Sequence, residues 1–185
     1  NLCQRLIEHF ADDGDTVSGE IKTSFGMSVD ILQIRESQKK ALLFECKSRR
    51  LPSRILTSAD PWGEFQTDYN DLAKGIVQIW RSNDELMKPK DIDAVGLVAL
   101  YDPWTIMGIS FLEQLFKEAH EIADKKSIAK ESRIPVALIS YFELERTLKR
   151  YDLPTIHVAV GKSQQSDKRG FELDTICEEI VKPAD

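Results

Sequence analysis

Ser28-Val29-Asp30-Ile31-Leu32-Gln33-Ile34-Arg35, the polar turn Glu36-Ser37-Gln38-Lys39-Lys40, and Ala41-Leu42-Leu43-Phe44-Glu45-Cys46-Lys47 decide the fold. The two apolar stretches predict strands over 28–35 and 41–47, joined as a hairpin through the polar turn. Pairing Ile34 with Ala41 and Leu32 with Leu43 keeps the apolar residues on one face. A slip of one residue would turn the whole set over. This register places Asp30 opposite Glu45. Side chains alternate along a strand, so Lys47 shares the face of Glu45, while Cys46 points the other way with Phe44 and Leu42.

Working outward, Leu2, Leu6, Ile7 and Phe10 recur at helical spacing and predict a first helix over about 2–11. Asp12-Asp13-Gly14-Asp15 stops it with turn chemistry, and a strand is expected over 16–23. Beyond the hairpin, Pro52 and Pro61 mark a loop. A long helix follows over about 64–87, with Tyr69, Leu72, Ala73, Ile76, Val77 and Trp80 as its apolar stripe. Pro89 closes that region. Ala94 to Tyr101 is nearly all apolar, as expected of a strand covered on both faces. A helix over about 110–126, a strand from Pro135 to Ser140, a short helix over 141–150 and a last strand from Thr155 to Val160 complete the reading. The Ser-, Gln- and Lys-rich stretch Gly161–Gly170 reads as a flexible loop. Early strands followed by strand–helix alternation indicate an α/β fold, a mixed sheet flanked by helices.

The chain has 185 residues, 42% hydrophobic and 30% charged, which suits one ordinary globular domain. The expectation is a single domain over 1–185, its core at about 2–140 and a C-terminal extension at about 141–185. Because the sequence opens at Asn1 without an initiator Met, it reads as excised from a larger protein. No apolar run is long enough to cross a bilayer. Cys3, Cys46 and Cys177 are odd in number and outside any zinc spacing, which suits a reducing, cytoplasmic setting and gives no disulfide framework. His9, His120 and His157 are scattered, with no metal-ligand spacing. There is no nucleophile elbow and no phosphate-cradling glycine loop. A net charge of −6 argues against a general nucleic-acid coat, which would be basic.

What remains is the hairpin. Two carboxylates facing each other across adjacent strands repel unless a cation lies between them, and on apolar strands unpaired charge is costly. A hard divalent ion relieves both problems, with Asp30, Glu45 and the backbone carbonyl of Cys46 as oxygen ligands suited to magnesium. Lys47 would hold the attacking water and stabilise charge developing on a phosphate.

Val29-Asp30-Ile31 followed by Leu42-Leu43-Phe44-Glu45-Cys46-Lys47-Ser48 resembles the PD-(D/E)XK motif of the restriction-endonuclease-like superfamily. The predicted order helix, three strands, helix, strand matches as well, over roughly residues 2–140. Ser28-Val29 stand ahead of Asp30 where a Pro-Asp is usual. The resemblance implies a magnesium-dependent phosphodiesterase of endonuclease type, with manganese as a substitute, acting on DNA ahead of RNA. It also implies accessory positions. Glu8 on the first helix would add a metal ligand, or else is a solvated helix residue. Lys74 and Gln78, one turn apart on the long helix, would stand beside the metal. The helical wheel sets Gln78 nearly opposite the apolar stripe, which predicts exposure. Arg49, Arg50 and Arg54 form a basic patch next to the site that reads either as phosphate contacts or as a solvated loop. Trp62, Trp80 and Trp104 read as packing residues, with lining a groove as the alternative for Trp104, after Asp102-Pro103. Such a domain would serve as the cutting module of a host-defence (antiviral) or DNA-processing protein, and dimerisation would suit a duplex cutter. The rival reading is a nuclease-like module that binds nucleic acid or a partner protein without cutting.

Overall fold

The computed structural model describes residues 2–21, 29–47, 61–101 and 109–182. The chain runs α1 (Leu2–Phe10), β1 (Asp15–Ser18), β2 (Ile31–Arg35), β3 (Lys40–Lys47), α2 (Pro61–Ser82), β4 (Asp93–Leu100), α3 (Ile109–Lys125), β5 (Val136–Ser140), α4 (Tyr141–Arg150), α5 (Leu153–Lys162) and α6 (Leu173–Val181). The five strands form one mixed sheet in the order β1-β2-β3-β4-β5. β1, β2 and β3 pair antiparallel, then β3, β4 and β5 run parallel. The expected α/β class and the order helix, three strands, helix, strand are both observed.

Alternation along the strands builds two cores. On one face Leu32, Ile34, Leu43 and Val98 meet Leu72, Ile76 and Trp80 of α2 and Leu115 and Ala119 of α3. On the other, Ile31, Leu42, Phe44 and Leu97 meet Ile7 of α1, Leu144 of α4, Ile156 of α5 and Ile176 of α6. The helices beyond residue 140 therefore supply most of one layer. α2 lies close on the sheet at Gly96 of β4, where an added Cβ would fall 2.5 Å from Ile79 Cγ2. Trp80 confirms its packing role: it is buried, donates from Nε1 to the Ile134 carbonyl at 2.8 Å and stacks on His120. Among the described residues, no helix is long and apolar enough to cross a membrane.

Several expectations need correction. Thr155–Val160 is not a strand but the middle of α5. Its Val and Ile content suggested β structure, yet Asp152 caps a helix there by accepting from the Thr155 amide at 3.0 Å, with Pro154 in the first turn. Leu153, Ile156, His157, Ala159 and Val160 then fall on one buried face. Pro61, read as loop, instead opens α2, where a missing amide costs nothing. α2 ends at Ser82, five residues earlier than the helix expected to reach 87, and Asn83–Met87 continue as a π turn. Of the 161–170 stretch, Gly161 and Lys162 close α5 and the rest is a chain of turns bonded through Lys162, Gln165 and Lys168 carbonyls. α6 was not anticipated.

Candidate metal and phosphodiester site

Glu45 and Lys47 lie at the C-terminal end of β3. Leu43, two residues earlier on the same face, packs in the α2 core, so both side chains are directed at α2. Cys46 points to the other layer, where it packs with the cluster of Phe44 and Cys3. The register is the one the sequence predicts: Ile34 pairs with Ala41 and Leu32 with Leu43. The ladder ends at Ile31↔Phe44, one pair short of Asp30 and Glu45. Asp30 therefore sits in a bend ahead of β2, outside the strand. The half-buried carboxylate reaches the β3 backbone, and Oδ2 accepts from the Cys46 amide at 2.6 Å. That bond anchors Asp30 to the residue between Glu45 and Lys47.

Glu45 is 4% exposed. Lys47 Nζ donates to its Oε1 at 2.7 Å. Among the described residues, Oε2 of Glu45 is the one carboxylate oxygen that is buried without a hydrogen-bond partner. Burial pushes the Glu45 carboxyl up to about 7, and the charge of Asp30 adds to the rise while Lys47 opposes it. At neutral pH this group is poised between its charged and neutral forms. Hydrogen bonding to Cys3 together with burial keeps the Cys46 thiol protonated. A protonated thiol is a poor metal ligand, so what Cys46 can offer a cation is its carbonyl.

A second buried carboxylate shows the contrast. Glu143 on α4 is also 4% exposed, and burial lifts it to about 6. Its Oε1 accepts the Leu173 amide at the start of α6, and the Asp174 amide also bonds to it. Glu143 is satisfied as a helix cap. Glu45 is not.

The accessory positions divide. Glu8 is exposed on α1, where Gln4 Nε2 donates to its Oε1 at 2.9 Å. Among the described residues no three His, Cys, Asp or Glu side chains gather as a metal set, so Glu8 does not join Asp30 and Glu45. Lys74 is exposed and paired with Asp71 at 3.4 Å. Gln78 is half-buried, not exposed as the wheel predicted, because α2 lies against the sheet on a broader face than its apolar stripe. Arg49, Arg50, Arg54 and Trp104, together with the Trp62 side chain, lie outside the described residues. An apolar groove beside β5, lined by Leu100, Phe111, Phe116, Leu138 and Phe171, includes none of the site residues.

Sequence reasoning missed Gly75. An added Cβ there would lie 3.0 Å from Lys47 Cε and 3.2 Å from Glu45 Cγ, so the acid–lysine pair packs directly on the α2 backbone. The signal was present: a glycine inside the helical run Lys74-Gly75-Ile76 costs helix stability and points to a close approach.

No protein-family model matches the chain, and no curated protein matches it. Among solved structures it is similar to the small subunit of a heterodimeric restriction endonuclease, with 16% identity and a TM-score of 0.46. That alignment covers 97% of this chain and 87% of the other. So distant a likeness fixes neither activity nor partner.

Proposed function

We propose that the chain is a divalent-metal-dependent nuclease domain that hydrolyses phosphodiester bonds, in DNA ahead of RNA, with Asp30, Glu45 and Lys47 at its centre. The observation that carries this reading is Glu45, a buried carboxylate with one oxygen held by Lys47 and the other without a partner. A purely structural acid at this depth would be satisfied, as Glu143 is.

The donor set fits a hard cation. Oε2 of Glu45, the remaining oxygen of Asp30 and the Cys46 carbonyl are all oxygen ligands, the kind magnesium takes alongside water and phosphate. A bound magnesium or manganese ion would acidify water and offset negative charge on the phosphate. The chain's own residues do the rest. Asp30 is held in place by the Cys46 amide. Lys47 keeps an ammonium beside Glu45, where it can orient a water and meet charge as it develops on the scissile phosphate. The basic residues Arg49, Arg50 and Arg54 complete the proposal as phosphate contacts, since the chain as a whole is acidic.

The test is cleavage of supercoiled plasmid and of a matched RNA with magnesium, manganese or EDTA. Wild type is compared with Asp30→Ala, Glu45→Ala and Lys47→Ala, each checked for folding. Metal-dependent nicking lost in all three variants supports the assignment. An inert wild type that also fails to bind manganese by calorimetry would leave the non-cutting interaction module in its place.

A further inference from the structure

We infer that Gly75 is a positioning residue for this site: its missing side chain makes the notch in α2 that holds Lys47 against Glu45. This rests on the nuclease reading for its functional meaning and on geometry for its existence. The Cβ of any other residue at 75 would stand 3.0 Å from Lys47 Cε, 3.2 Å from Glu45 Cγ and 3.7 Å from Lys47 Nζ. The first two separations are tighter than ordinary carbon contacts, so something must give. Glu45 Cγ is close to the β3 backbone, which is held there by its pairing with Val98 of β4. The flexible partner is the end of Lys47, which is half-buried. A methyl group at 75 therefore pushes the end of Lys47 aside by a few tenths of an ångström, and on this inference that shift loosens the ammonium from Oε1.

The position also conflicts with local preference. Gly75 sits in the middle of the helix Pro61–Ser82, where alanine would be the better residue by intrinsic propensity. Its neighbours one turn away, Asp71 and Gln78, are both half-buried and engaged in interactions of their own, so the face of α2 over β3 is crowded on both sides of the notch. The glycine is what lets a helix lie over a charged pair with no layer of side chain between them.

Gly75→Ala separates this role from a general effect on the helix. The first readout is the Lys47 ammonium in ¹H–¹⁵N spectra of the metal-free protein, assigned by its absence in Lys47→Ala. An ammonium held in a half-buried ion pair gives a protected signal, and we expect Gly75→Ala to lose it. The second is steady-state cleavage, in which kcat should fall between about tenfold and about a hundredfold with KM little changed. The third is a double-mutant cycle on the melting temperature. Gly75→Ala should lower it in the wild-type background, and lower it less or raise it once Lys47→Ala has removed the nearer obstructing atom and left the 3.2 Å contact with Glu45 Cγ. If Gly75→Ala does not fold alone, recovery in the Lys47→Ala background makes the same point. A retained ammonium signal, or equal melting effects in both backgrounds, overturns the proposal. Loss of the signal in a protein whose wild type never cleaves would leave the notch standing and remove the nuclease reading.

Discussion

Lys47 Nζ and Glu45 Oε1 lie 2.7 Å apart at the end of β3, and this ion pair satisfies only one oxygen of a carboxylate buried to 4% exposure. The pair has an internal imbalance. One ammonium stabilises the charged form, while burial and Asp30 destabilise it more, leaving the carboxyl at about 7. Two strand residues of opposite charge would ordinarily point into water. Here the alternation that places Leu43 in the core carries them into the core as well.

The raised carboxyl predicts how the metal-free protein responds to pH. Folded Glu45 holds its proton more tightly than it would in the unfolded chain, where the ordinary value is 4.5. The stabilisation from this group is therefore complete below 4.5 and is lost as pH rises through about 7. Glu45→Gln removes the ionisation. In EDTA its unfolding free energy should match wild type near pH 4.5 and exceed it increasingly up to pH ~8, by a difference on the order of 3 kcal/mol. Parallel melting curves across that range would contradict the assignment of Glu45 as the strained group.

Asp30 should separate structure from charge. Its Oδ2 accepts the Cys46 amide, and an asparagine carbonyl can also accept it, as a weaker neutral partner. Asp30→Asn should stay within about 1 kcal/mol of wild-type stability in urea denaturation. Asp30→Ala leaves that amide unbonded and should cost about 1–3 kcal/mol. Both should lose manganese binding by calorimetry, since neither retains the negative charge. Manganese affinity preserved in Asp30→Asn would remove Asp30 from the metal site.

The corrected element, α5, makes its own prediction. Val158 lies on the exposed side of the helix at 40% exposure. Alanine is a better helix former than valine and a worse strand former. Val158→Ala should therefore raise stability by a few tenths of a kcal/mol, where a strand would lose by a similar amount. Asp152→Ala removes the cap on the Thr155 amide and should cost about 1 kcal/mol. Chemical denaturation of the two variants reads both signs.

Legibility in the sequence followed the length and consistency of the local signal. The β2–β3 register was readable because one buried face permits only one pairing, and Leu32↔Leu43 holds in the structure. The juxtaposition of Asp30 with Glu45 and Lys47 came with it. The bend at Asp30 was not readable, since nothing in Ser28-Val29-Asp30 says where a ladder stops. α5 was misread because Ile156, Val158 and Val160 are β-branched, whereas its helical state is decided by a cap and by burial on one side. Glu8 was placed by resemblance alone, and the packing of α1 leaves it in solvent. Gly75 inside a helical run signals a close approach, but its partners, Glu45 and Lys47, lie on another element and no local pattern names them.

The two buried carboxylates hold different partners. Glu45 and Glu143 are equally buried, and both are raised by burial, so neither exposure nor titration distinguishes them. Their partners do. Glu143 accepts backbone amides at the first turn of α6, where a carboxylate meets both the unpaired amides and the positive end of the helix dipole. Glu143→Ala should cost about 1–3 kcal/mol and open α6 to hydrogen exchange at Leu173 and Asp174. The folded variant should still bind manganese and cleave as wild type does. Glu45→Ala should do the reverse, with manganese binding and cleavage abolished and metal-free stability at pH 8 unchanged or higher, because it removes an unsatisfied oxygen. If Glu143→Ala instead abolished manganese binding while folded, the catalytic centre would have to be sought at the α4–α6 junction rather than at the end of β3.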